Sequence, residues 1–375
     1  MLPYSCQCVD SDDIEVLTEV LKSPLLTQGP RVESFEKALA SYAGVRHALV
    51  FNSATSALYC AYRALGIREG DEVITTPISF VATSSMLLAL GAIPVFCDVK
   101  PDGNINEEAI PALITHKTRA IVSVDYSGNP VAFDRLREVA DSHNLAFLSD
   151  SSHSIGAEFK GVRVGNHADA TIFSFHAVKP ITTGEGGALL SNDEAIYEQA
   201  KRIRSHGVVK KHLWNSDVEE WGFNFRMSDF AAALGESQLK KLDRFITQRQ
   251  ELAHFYDEYF RDSRYIHTLK RTREAKSSHH LYPIFLSSSL WCVKEEIFAA
   301  LHKQGIGVQV HYKPIHTFTL YRKLFPNLSL PNAESFYRSE LSIPCHQKMN
   351  IKQAREVAEI VCDVVETFAH SSCSS

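Results

Sequence analysis

The sequence predicts an α/β fold: a large domain with a mainly parallel sheet flanked by helices, and a smaller C-terminal α/β domain. Strand-like and helix-like patterns alternate through the first half of the chain, and strands separated by helices imply crossover connections. Glycine or proline closes most of these patterns and so marks the element ends. The chain has 375 residues, more than one core usually holds. We therefore expect a large domain at 1–245 and a small domain at 246–375.

The individual elements follow in chain order from the spacing of apolar residues. Helical periodicity predicts helices at 11–22, 32–43, 54–65, 80–90 and 133–143, and one long helical stretch at 228–260. Short apolar runs between them predict strands at 47–51, 72–77, 93–99, 119–126, 145–150, 170–175 and 188–191. In the C-terminal part, strand-like runs at 280–286 and 308–312 and helices at 294–304 and 351–368 indicate a small mixed domain.

Polar residues follow the first predicted strand. In sheets of this kind ligands bind beyond the carboxyl ends of the strands. Asn52, Ser53, Ala54 and Thr55 lie there, at the start of a predicted helix. Free backbone N–H groups and the helix dipole at such a position suit a phosphate group. The alternative is that Ser53 or Thr55 only caps the helix.

A carboxylate closes a later strand. Asp150 ends the predicted strand 145–150 and precedes Ser151, Ser152 and His153. A carboxylate at this place either holds a protonated ring nitrogen of a ligand or caps a turn. From the residues alone both interpretations stay open.

The stretch 174–187 sets one lysine among polar and small residues directly after a strand-like run. Pro180 follows Lys179 and disfavours helical geometry for it, so we expect this lysine on a loop. Burial or a cationic neighbour lowers the pKa of a lysine amine and lets it form a Schiff base with a carbonyl group. The alternative is a solvated surface lysine. The G-E-G-G run at 184–187 precedes a strand rather than a helix, so we interpret it as a turn with close backbone packing.

Composition argues against several classes of function. The formal net charge of -5 and the lack of a long basic run argue against nucleic-acid binding. The N-terminal residues do not resemble a signal peptide and no apolar stretch reaches the length of a membrane span, so we expect a cytoplasmic protein without a membrane partner. The eight cysteines include no C-x-x-C pair, and H-E-x-x-H does not occur, which argues against a disulfide framework and against a metal site.

Six motifs occur in order along the chain: N-S-A-T-S-A-L, S-F-V-A-T, D-S-S-H-S, S-F-H-A-V-K-P-I-T-T-G-E-G-G, G-F-N-F-R-M and V-H-Y-K-P-I-H. In this order and spacing they resemble the DegT/DnrJ/EryC1/StrS family of sugar aminotransferases. The likeness runs from about residue 4 to about residue 365, almost the whole chain. It implies pyridoxal 5'-phosphate (PLP) as the cofactor and the fold of type I PLP enzymes.

The resemblance implies a role for each polar site. Lys179 is implied to bind PLP covalently and then to shuttle a proton between the substrate carbon and the cofactor carbon. Asp150 is implied to pair with the pyridine nitrogen and keep it protonated. Asn224 is similar to an asparagine that this family donates to the phosphate of the neighbouring subunit, which implies a homodimer with shared active sites. The other implied cofactor contacts are His153 near the phenolic oxygen, Phe80 on the ring face, and Ala54, Thr55 and Ser174 at the phosphate.

The resemblance also implies the substrates. The runs L-L-T-Q-G-P and H-Y-K-P-I-H are most similar to the family branch of pseudaminic acid biosynthesis. This branch moves an amino group from glutamate to the 4-keto position of a UDP-linked 4-keto-6-deoxy-N-acetyl sugar. Arg226 and His316 are candidates for the diphosphate or the donor carboxylate, and that choice stays open. The residues implied to line the sugar-nucleotide cleft, each of which also fits ordinary packing or a turn, are Tyr4, Leu26, Thr27, Gln309, His311 and Tyr312.

Two comparisons with the family pattern bear on this interpretation. Many relatives have glycine where this chain has Ala54, so the backbone approach to a phosphate is slightly altered. The family's sugar dehydratases replace the lysine with histidine, so Lys179 favours transamination. Two alternatives stay open: the same chemistry on another nucleotide 4-keto sugar, and a PLP-binding regulatory or structural protein without turnover. The joint presence of Lys179 and Asp150 disfavours the second.

Overall fold

The computed structural model of the chain describes residues 1–372. Its strands are β1 (His47–Phe51), β2 (Glu72–Thr75), β3 (Ile93–Phe96), β4 (Thr118–Val124), β5 (Ala146–Asp150), β6 (Glu158–Phe159), β7 (Val162–Arg163), β8 (Ala170–Ser174), β9 (Gly187–Ser191), β10 (Val208–His212), β11 (Asn215–Val218), β12 (Ile266–Thr268), β13 (Ala275–Lys276), β14 (Tyr282–Leu286) and β15 (Glu340–Ile343). Its α-helices are α1 (Ser11–Lys22), α2 (Pro30–Ala43), α3 (Ala54–Ala64), α4 (Ala82–Ala89), α5 (Phe133–Ser142), α6 (Glu194–Arg204), α7 (Asp229–Leu239), α8 (Leu242–Tyr259), α9 (Lys294–Lys303), α10 (Thr319–Leu324), α11 (Pro331–Ser339) and α12 (Ile351–Ser372).

The central sheet has seven strands in the order β1-β9-β8-β5-β4-β2-β3. The pairs β2/β3, β2/β4, β4/β5 and β5/β8 are parallel. Strand β9 runs antiparallel to both of its neighbours, β1 and β8. The carboxyl ends of β1, β8, β5 and β4 therefore lie at one edge of the sheet. This mainly parallel sheet with its covering helices confirms the predicted fold class.

Strand β1 shows how the sheet is buried on both faces. Val50 packs in one apolar layer with Phe35 and Leu39 of α2, whereas Leu49 and Phe51 pack in the other layer with α3 and α6. Successive side chains of a strand point to opposite faces, and burying each of them stabilises the fold by roughly 1.5–3 kcal/mol. Because both faces are covered, the strand sequence is a continuous apolar run rather than an alternating one.

A second apolar core lies in the C-terminal part of the chain. It unites α8, α9 and α12 with the sheet β12-β14-β15 through side chains such as Leu301 and Val361. Helix α8 contributes to both regions. Phe245 packs in the layer of the central sheet that contains Val50, and Leu252 packs in the C-terminal core. The predicted division at 245/246 falls within this helix and stays a prediction. Residues 373–375, the end of the predicted small domain, lie outside the described part of the chain.

The long helical stretch predicted at 228–260 is divided into α7 and α8. The division falls at Lys240 and Lys241. The Lys241 ammonium group pairs with Asp10 and also with Asp13 of α1, a fully buried carboxylate. Apolar periodicity continues through both helices, so the pattern alone did not show where one helix ends and the next begins.

The strand-like run at 308–312 does not form a strand. Gln309 makes one isolated bridge to Ser342, and the N–H of His311 donates to the Glu340 carboxylate at 2.8 Å. Beyond Gln309, the N–H of His311 thus donates to a side chain instead of to a backbone carbonyl of a neighbouring strand. The prediction of a strand here was wrong, because the alternating pattern of the residues could not show this acceptor.

None of the helices in residues 1–372 is long and apolar enough to cross a membrane. Within the same residues, no three His, Cys, Asp or Glu side chains come together in a group that could hold a metal ion. Neither observation tests the cytoplasmic location, which stays a prediction.

Candidate active site

A cavity of about 480 Å³ opens at the carboxyl edge of the central sheet. Strands β1, β5 and β8 end at this edge, and the segment after each of them contributes side chains to the wall. The edge is therefore the place where the sheet topology was expected to gather ligands. The predicted site residues in the wall are Tyr4, Ala54, Thr55, Phe80, Asp150, His153, Ser174, Lys179, His311 and Tyr312.

Lys179 lies on the loop between β8 and β9, and it is only 8% exposed. Hydrogen bonds within the loop fix its course: the N–H of Lys179 donates to the carbonyl of His176, and the N–H of Thr183 donates to the carbonyl of Phe175, both at 2.9 Å. Burial lowers the pKa of the Lys179 amine to about 7, and the negative charge of Asp150 opposes this shift. The alternative of a solvated surface lysine is therefore wrong. A neutral amine near pH 7 can act as a nucleophile and as a base.

The far end of the same loop touches the start of α3. A Cβ atom on Gly187 would lie 2.4 Å from the backbone N of Ala54, closer than any side chain tolerates. A Cβ atom on Gly186 would lie 2.1 Å from Oγ1 of Thr183. The glycines thus serve close backbone packing, which confirms the interpretation of this run as a turn. Because these residues have no side chain, the backbone of the lysine loop can lie directly against the start of α3.

Helix α3 begins at Ala54, beside this loop. Ser53 is its N-cap, and the Ser53 hydroxyl oxygen accepts from the N–H of Ser56 at 3.1 Å. The Ser56 hydroxyl donates to Oδ1 of Asn52 at 2.6 Å. The capping interpretation is therefore correct for Ser53. The N–H groups of Ala54 and Thr55 belong to the first turn, where a helix offers donors to an anion, so capping and anion binding are compatible here.

The carboxylate of Asp150 ends β5 and is 4% exposed. Its Oδ2 atom accepts from the Thr83 hydroxyl at 2.7 Å. Its Oδ1 atom accepts from the Ser152 hydroxyl at 2.5 Å and from the Ser152 N–H at 3.3 Å. Three donors offset the cost of burying this carboxylate and fix its direction. Asp150 caps its turn through Oδ1, so the turn interpretation is correct, and it also faces the cavity.

Two histidine rings and one phenol surround the lysine. The Nε2 atom of His153 lies 3.0 Å from the hydroxyl of Tyr312. The rings of His153 and His280 are 4.5 Å apart between centroids, and Nε2 of His280 lies 3.4 Å from Nζ of Lys179. Burial, followed by the charge of Lys179, lowers the pKa of both histidines well below the ordinary value. Both rings are therefore neutral at physiological pH.

A fully buried carboxylate supports this wall from behind. Glu340 accepts from the N–H of His311 at 2.8 Å and from the Ser342 hydroxyl at 2.6 Å. The Ser342 hydroxyl oxygen also lies 2.9 Å from Nδ1 of His311. On the other side, the Tyr126 hydroxyl donates to the carbonyl of His311 at 2.7 Å. The backbone of His311 is thus held from two directions, which fixes the position of the adjacent Tyr312.

Several predicted site residues do not line this cavity. Arg226 forms a bridge with Phe51 at the end of β1. His316 is buried, and its Nε2 atom lies 3.2 Å from Oε1 of Glu334. Their predicted roles, and those of the others, concern a substrate or a second subunit and stay predictions. The predicted residues outside the cavity wall are Leu26, Thr27, Asn224, Arg226, Gln309 and His316.

The polar residues of the wall that were not predicted as site residues include Thr83, Ser152 and His280. Thr83 and Ser152 belong to the motifs S-F-V-A-T and D-S-S-H-S, so the motifs themselves could have indicated them. His280 lies 101 positions from Lys179 along the chain. Its local sequence S-S-H-H-L carries no signal for a contact with the lysine loop.

The fold and the site define a class of protein. A buried neutral amine beside a carboxylate, at the carboxyl edge of an α/β sheet, equips an enzyme to act on a carbonyl compound through a lysine. The same residues fit PLP: the start of α3 suits its phosphate, Asp150 its ring nitrogen and Lys179 its aldehyde. Among the described residues, Nδ1 of His153 is buried and has no hydrogen-bond partner, so the chain leaves a polar atom available beside the cavity.

Comparisons with known proteins identify the family. Residues 7–362 match the DegT/DnrJ/EryC1/StrS aminotransferase family. The chain is 49% identical over 376 residues, covering 100% of both chains, to the UDP-4-amino-4,6-dideoxy-N-acetyl-beta-L-altrosamine transaminase of Campylobacter jejuni subsp. jejuni serotype O:23/36 (strain 81-176). The structure of Helicobacter pylori PseC, an aminotransferase involved in the biosynthesis of pseudoaminic acid, is 47% identical with a TM-score of 0.96 over 98% of this chain and 99% of that chain.

A third comparison concerns the cofactor. Spr1654 from Streptococcus pneumoniae, a candidate sugar aminotransferase, is 30% identical, and its PLP form matches with a TM-score of 0.93 over 98% of this chain and 99% of that chain. Its PMP form matches with a TM-score of 0.94 over 99% of each chain. The chain belongs to the DegT/DnrJ/EryC1/StrS aminotransferase family. This result confirms the predicted family and the prediction of a PLP-dependent aminotransferase.

Proposed function

We propose that this protein transfers an amino group from glutamate to the 4-keto position of a UDP-linked 4-keto-6-deoxy-N-acetyl sugar in pseudaminic acid biosynthesis. The observation that carries the proposal is the Lys179 amine, buried in the cavity with a pKa lowered by burial to about 7. This group gives the site the nucleophile and the base that amino transfer requires.

The names of the relatives support the choice of sugar. The C. jejuni relative is a transaminase named for a UDP-linked 4-amino-4,6-dideoxy-N-acetyl sugar, and PseC is involved in pseudoaminic acid biosynthesis. Both likenesses extend over nearly the whole chain, so they include the walls of the cavity. Tyr4, His311 and Tyr312 lie in that wall, and we assign them to the sugar-nucleotide cleft.

PLP, when bound, supplies an aldehyde for the amino group and a ring that stabilises negative charge on the reacting carbon. Three parts of the chain would hold it: the N–H groups of the first turn of α3 at the phosphate, the fixed carboxylate of Asp150 at the ring nitrogen, and Lys179 at the aldehyde. Thr83 and Ser152 hold that carboxylate in one direction through bonds of 2.7 Å and 2.5 Å, so it needs no rearrangement when the ring charge changes.

Lys179 moves the proton. Its neutral Nζ atom takes a proton from the α carbon of the donor amino acid and returns a proton when the sugar occupies the site. Because burial lowers the pKa of the amine to about 7, a large share of it is neutral near pH 7 and most of it is neutral above that pH, so it is ready as a base once it is free. The low exposure of the side chain, 8%, limits exchange of that proton with bulk water.

The substrate assignment is tested by product analysis. Purified protein is incubated with PLP, glutamate and a panel of UDP-linked keto sugars, and the amino sugar is detected by mass spectrometry. We expect product from the 4-keto-6-deoxy-N-acetyl sugar. Matched controls replace glutamate with aspartate or alanine, and the 4-keto sugar with a 3-keto isomer. Product from another 4-keto sugar alone would support the alternative substrate, and no product from any of them would contradict the assignment.

We further propose a homodimer in which Asn224 reaches the phosphate site of the neighbouring subunit. Asn224 itself does not line the cavity of its own chain. It follows a hairpin, residues 208–218, whose side chains are open to solvent, with Trp214 84% exposed and Val218 60% exposed. Large exposed apolar side chains are typical of surfaces that bind another protein. A second copy of the chain would cover them and bring Asn224 to its partner's cavity.

Subunit mixing tests the shared site. In a mixed dimer of Lys179→Ala and Asn224→Ala chains, one site keeps both natural residues if Asn224 acts across the interface. After random mixing of two inactive variants, we expect about one quarter of the wild-type activity to return. Mixing each variant with itself is the control. If activity does not return although the chains exchange, as seen by native mass spectrometry, Asn224 does not act in the neighbouring site.

A further inference from the structure

One histidine of the cavity has no role in the function proposed above. His280 precedes β14 in the C-terminal part of the chain, yet its Nε2 atom lies 3.4 Å from Nζ of Lys179 on the loop between β8 and β9. The contact is a long hydrogen bond between two nearly buried side chains, since His280 is 2% exposed and Lys179 is 8% exposed. It is the point where the C-terminal part of the chain reaches the reacting amine.

The backbone of His280 is firmly held. The guanidinium group of Arg249, fully buried in α8, donates through Nη1 to the carbonyl of His280 at 3.1 Å and to the carbonyl of Cys345 at 2.7 Å. The imidazole ring packs against the ring of His153 at 4.5 Å between centroids. The Nε2 atom therefore has a defined place relative to the lysine, as a positioning role requires.

Four charged or titratable groups act on the His280 ring. They are Lys179, His153, Arg249 and His311. All of them oppose a positive charge on the ring, and burial opposes it more strongly, so the pKa of His280 is well below its ordinary value. A neutral imidazole presents one nitrogen lone pair, which can accept a hydrogen bond from an amine or an ammonium group.

We propose that His280 is a positioning residue that accepts a hydrogen bond from Nζ of Lys179 and holds this amine in place whenever it is not bonded to the cofactor. The inference rests on the proposed function, because it needs a lysine that is released and then acts as a base. The hydrogen bond stabilises the ammonium form of Lys179 more than the neutral amine, since bonds to charged groups are the stronger ones. His280 therefore strengthens Lys179 as a base and limits the directions that the free amine can take.

The test measures Lys179 itself and not only turnover. PLP is added to cofactor-free protein across a series of pH values, and the rate of appearance of the visible Schiff-base band gives the midpoint at which Lys179 loses its proton. We expect His280→Phe to lower that midpoint by about one pH unit. The same variant should lower kcat roughly tenfold and leave KM for the sugar unchanged. A loss of packing alone would lower the melting temperature without moving the midpoint.

Further variants keep the test decisive. His280→Gln retains an acceptor at similar reach and should restore most of the midpoint, whereas His280→Asn is too short and should resemble His280→Phe. If His280→Phe does not fold, the comparison of Gln with Asn carries the test. His346→Phe is the matched control, because His346 is another buried histidine that lies outside the cavity wall, and its midpoint should equal that of the wild type.

The outcomes separate the two proposals. If the wild type shows the visible band and both His280→Phe and His280→Asn keep its midpoint, the role of His280 is overturned and the proposed function stands. If the wild type shows no band with PLP at any pH, the proposed function itself fails. A lowered midpoint that Gln restores supports the positioning role.

Discussion

The buried end of the cavity and the exposed hairpin at 208–218 are built in opposite ways. At the buried end, Asp150 and Lys179 each have partners within the chain, and both are almost fully enclosed. In the hairpin, Leu213 and Trp214 contact water instead of a core. The difference shows that the surroundings of the lysine are formed within one chain, whereas the hairpin presents exposed apolar side chains, as the proposed homodimer requires.

Loss of the lysine should have the largest effect and leave the exposed region unchanged. In Lys179→Ala the nucleophile and the base disappear together, so we expect turnover to fall by about 10³–10⁴-fold or more. The visible band with PLP should vanish, while the oligomeric state measured by analytical ultracentrifugation should stay that of the wild type. Lys37→Ala is the control, because Lys37 is exposed and pairs with Glu33 at the surface. A band that persists in Lys179→Ala contradicts the role of this lysine.

Loss of the buried carboxylate of Asp150 should have the second-largest effect. Asp150→Asn keeps the shape but removes the charge that faces the ring nitrogen, so we expect kcat to fall by roughly 10²-fold. Thr83→Val removes one donor to Asp150 and should cost only several-fold, because a single hydrogen bond contributes about 1 kcal/mol. Steady-state kinetics of both variants at saturating PLP give the loss of kcat in each, and these two losses are compared. Equal effects would mean that Thr83 does more than orient the carboxylate.

The hairpin should affect assembly rather than chemistry. Trp214→Ser removes the most protruding indole ring, and we expect the dimer to dissociate about 30-fold more readily, since tryptophan residues dominate interfaces. Sedimentation across a concentration series measures this change. The visible band should still form in the variant at high PLP concentration. Leu320→Ser, another exposed apolar position, 55% exposed, is the control and should leave the dimer intact. An unchanged dimer in Trp214→Ser would place the interface elsewhere.

The pH dependence of Schiff-base formation should reflect the buried Lys179 and not the exposed hairpin. Because the pKa of Lys179 is lowered by burial to about 7, its reactive neutral form is dominant above that value and is lost as pH falls through it. The rate of band formation with PLP should therefore fall about tenfold for each pH unit below the midpoint. Stopped-flow absorbance measures it. A midpoint near the ordinary value of lysine would show that the amine is solvated.

The sequence predicted the sheet and the lysine loop because the signals there are local. Helix α1 was predicted with its observed bounds, and strand β1 likewise, since each has a clear apolar spacing and a polar or glycine boundary. Lys179 and Asp150 were singled out because each follows a strand, and residues that follow parallel strands gather at one edge of the sheet. Their predicted roles came from the resemblance of the surrounding motifs to the family. The alternation of strands and helices already implies a parallel sheet, and in a parallel sheet the carboxyl ends of the strands lie at the same edge.

The remaining parts depend on contacts between distant segments. His280 meets Lys179 only because α8 and the segment after it bring the C-terminal core against the large sheet, and no spacing in the sequence encodes that approach. The run 308–312 was predicted as a strand, but a buried carboxylate, Glu340, takes the N–H of His311. An alternating pattern shows which side chains share a face and does not show which acceptor the backbone will find.

Because Gly187 packs closely against Ala54, binding of the cofactor also depends on correct folding of the sheet. Strand β9 begins at Gly187 and fills the gap between β1 and β8, antiparallel to both. The helix start and the lysine loop can meet only after this strand has entered with the right register, because a slip of one residue turns its side chains to the wrong faces. During refolding, the visible band that Lys179 forms with added PLP would therefore be expected only in molecules in which β9 has paired with β1 and β8 in this register.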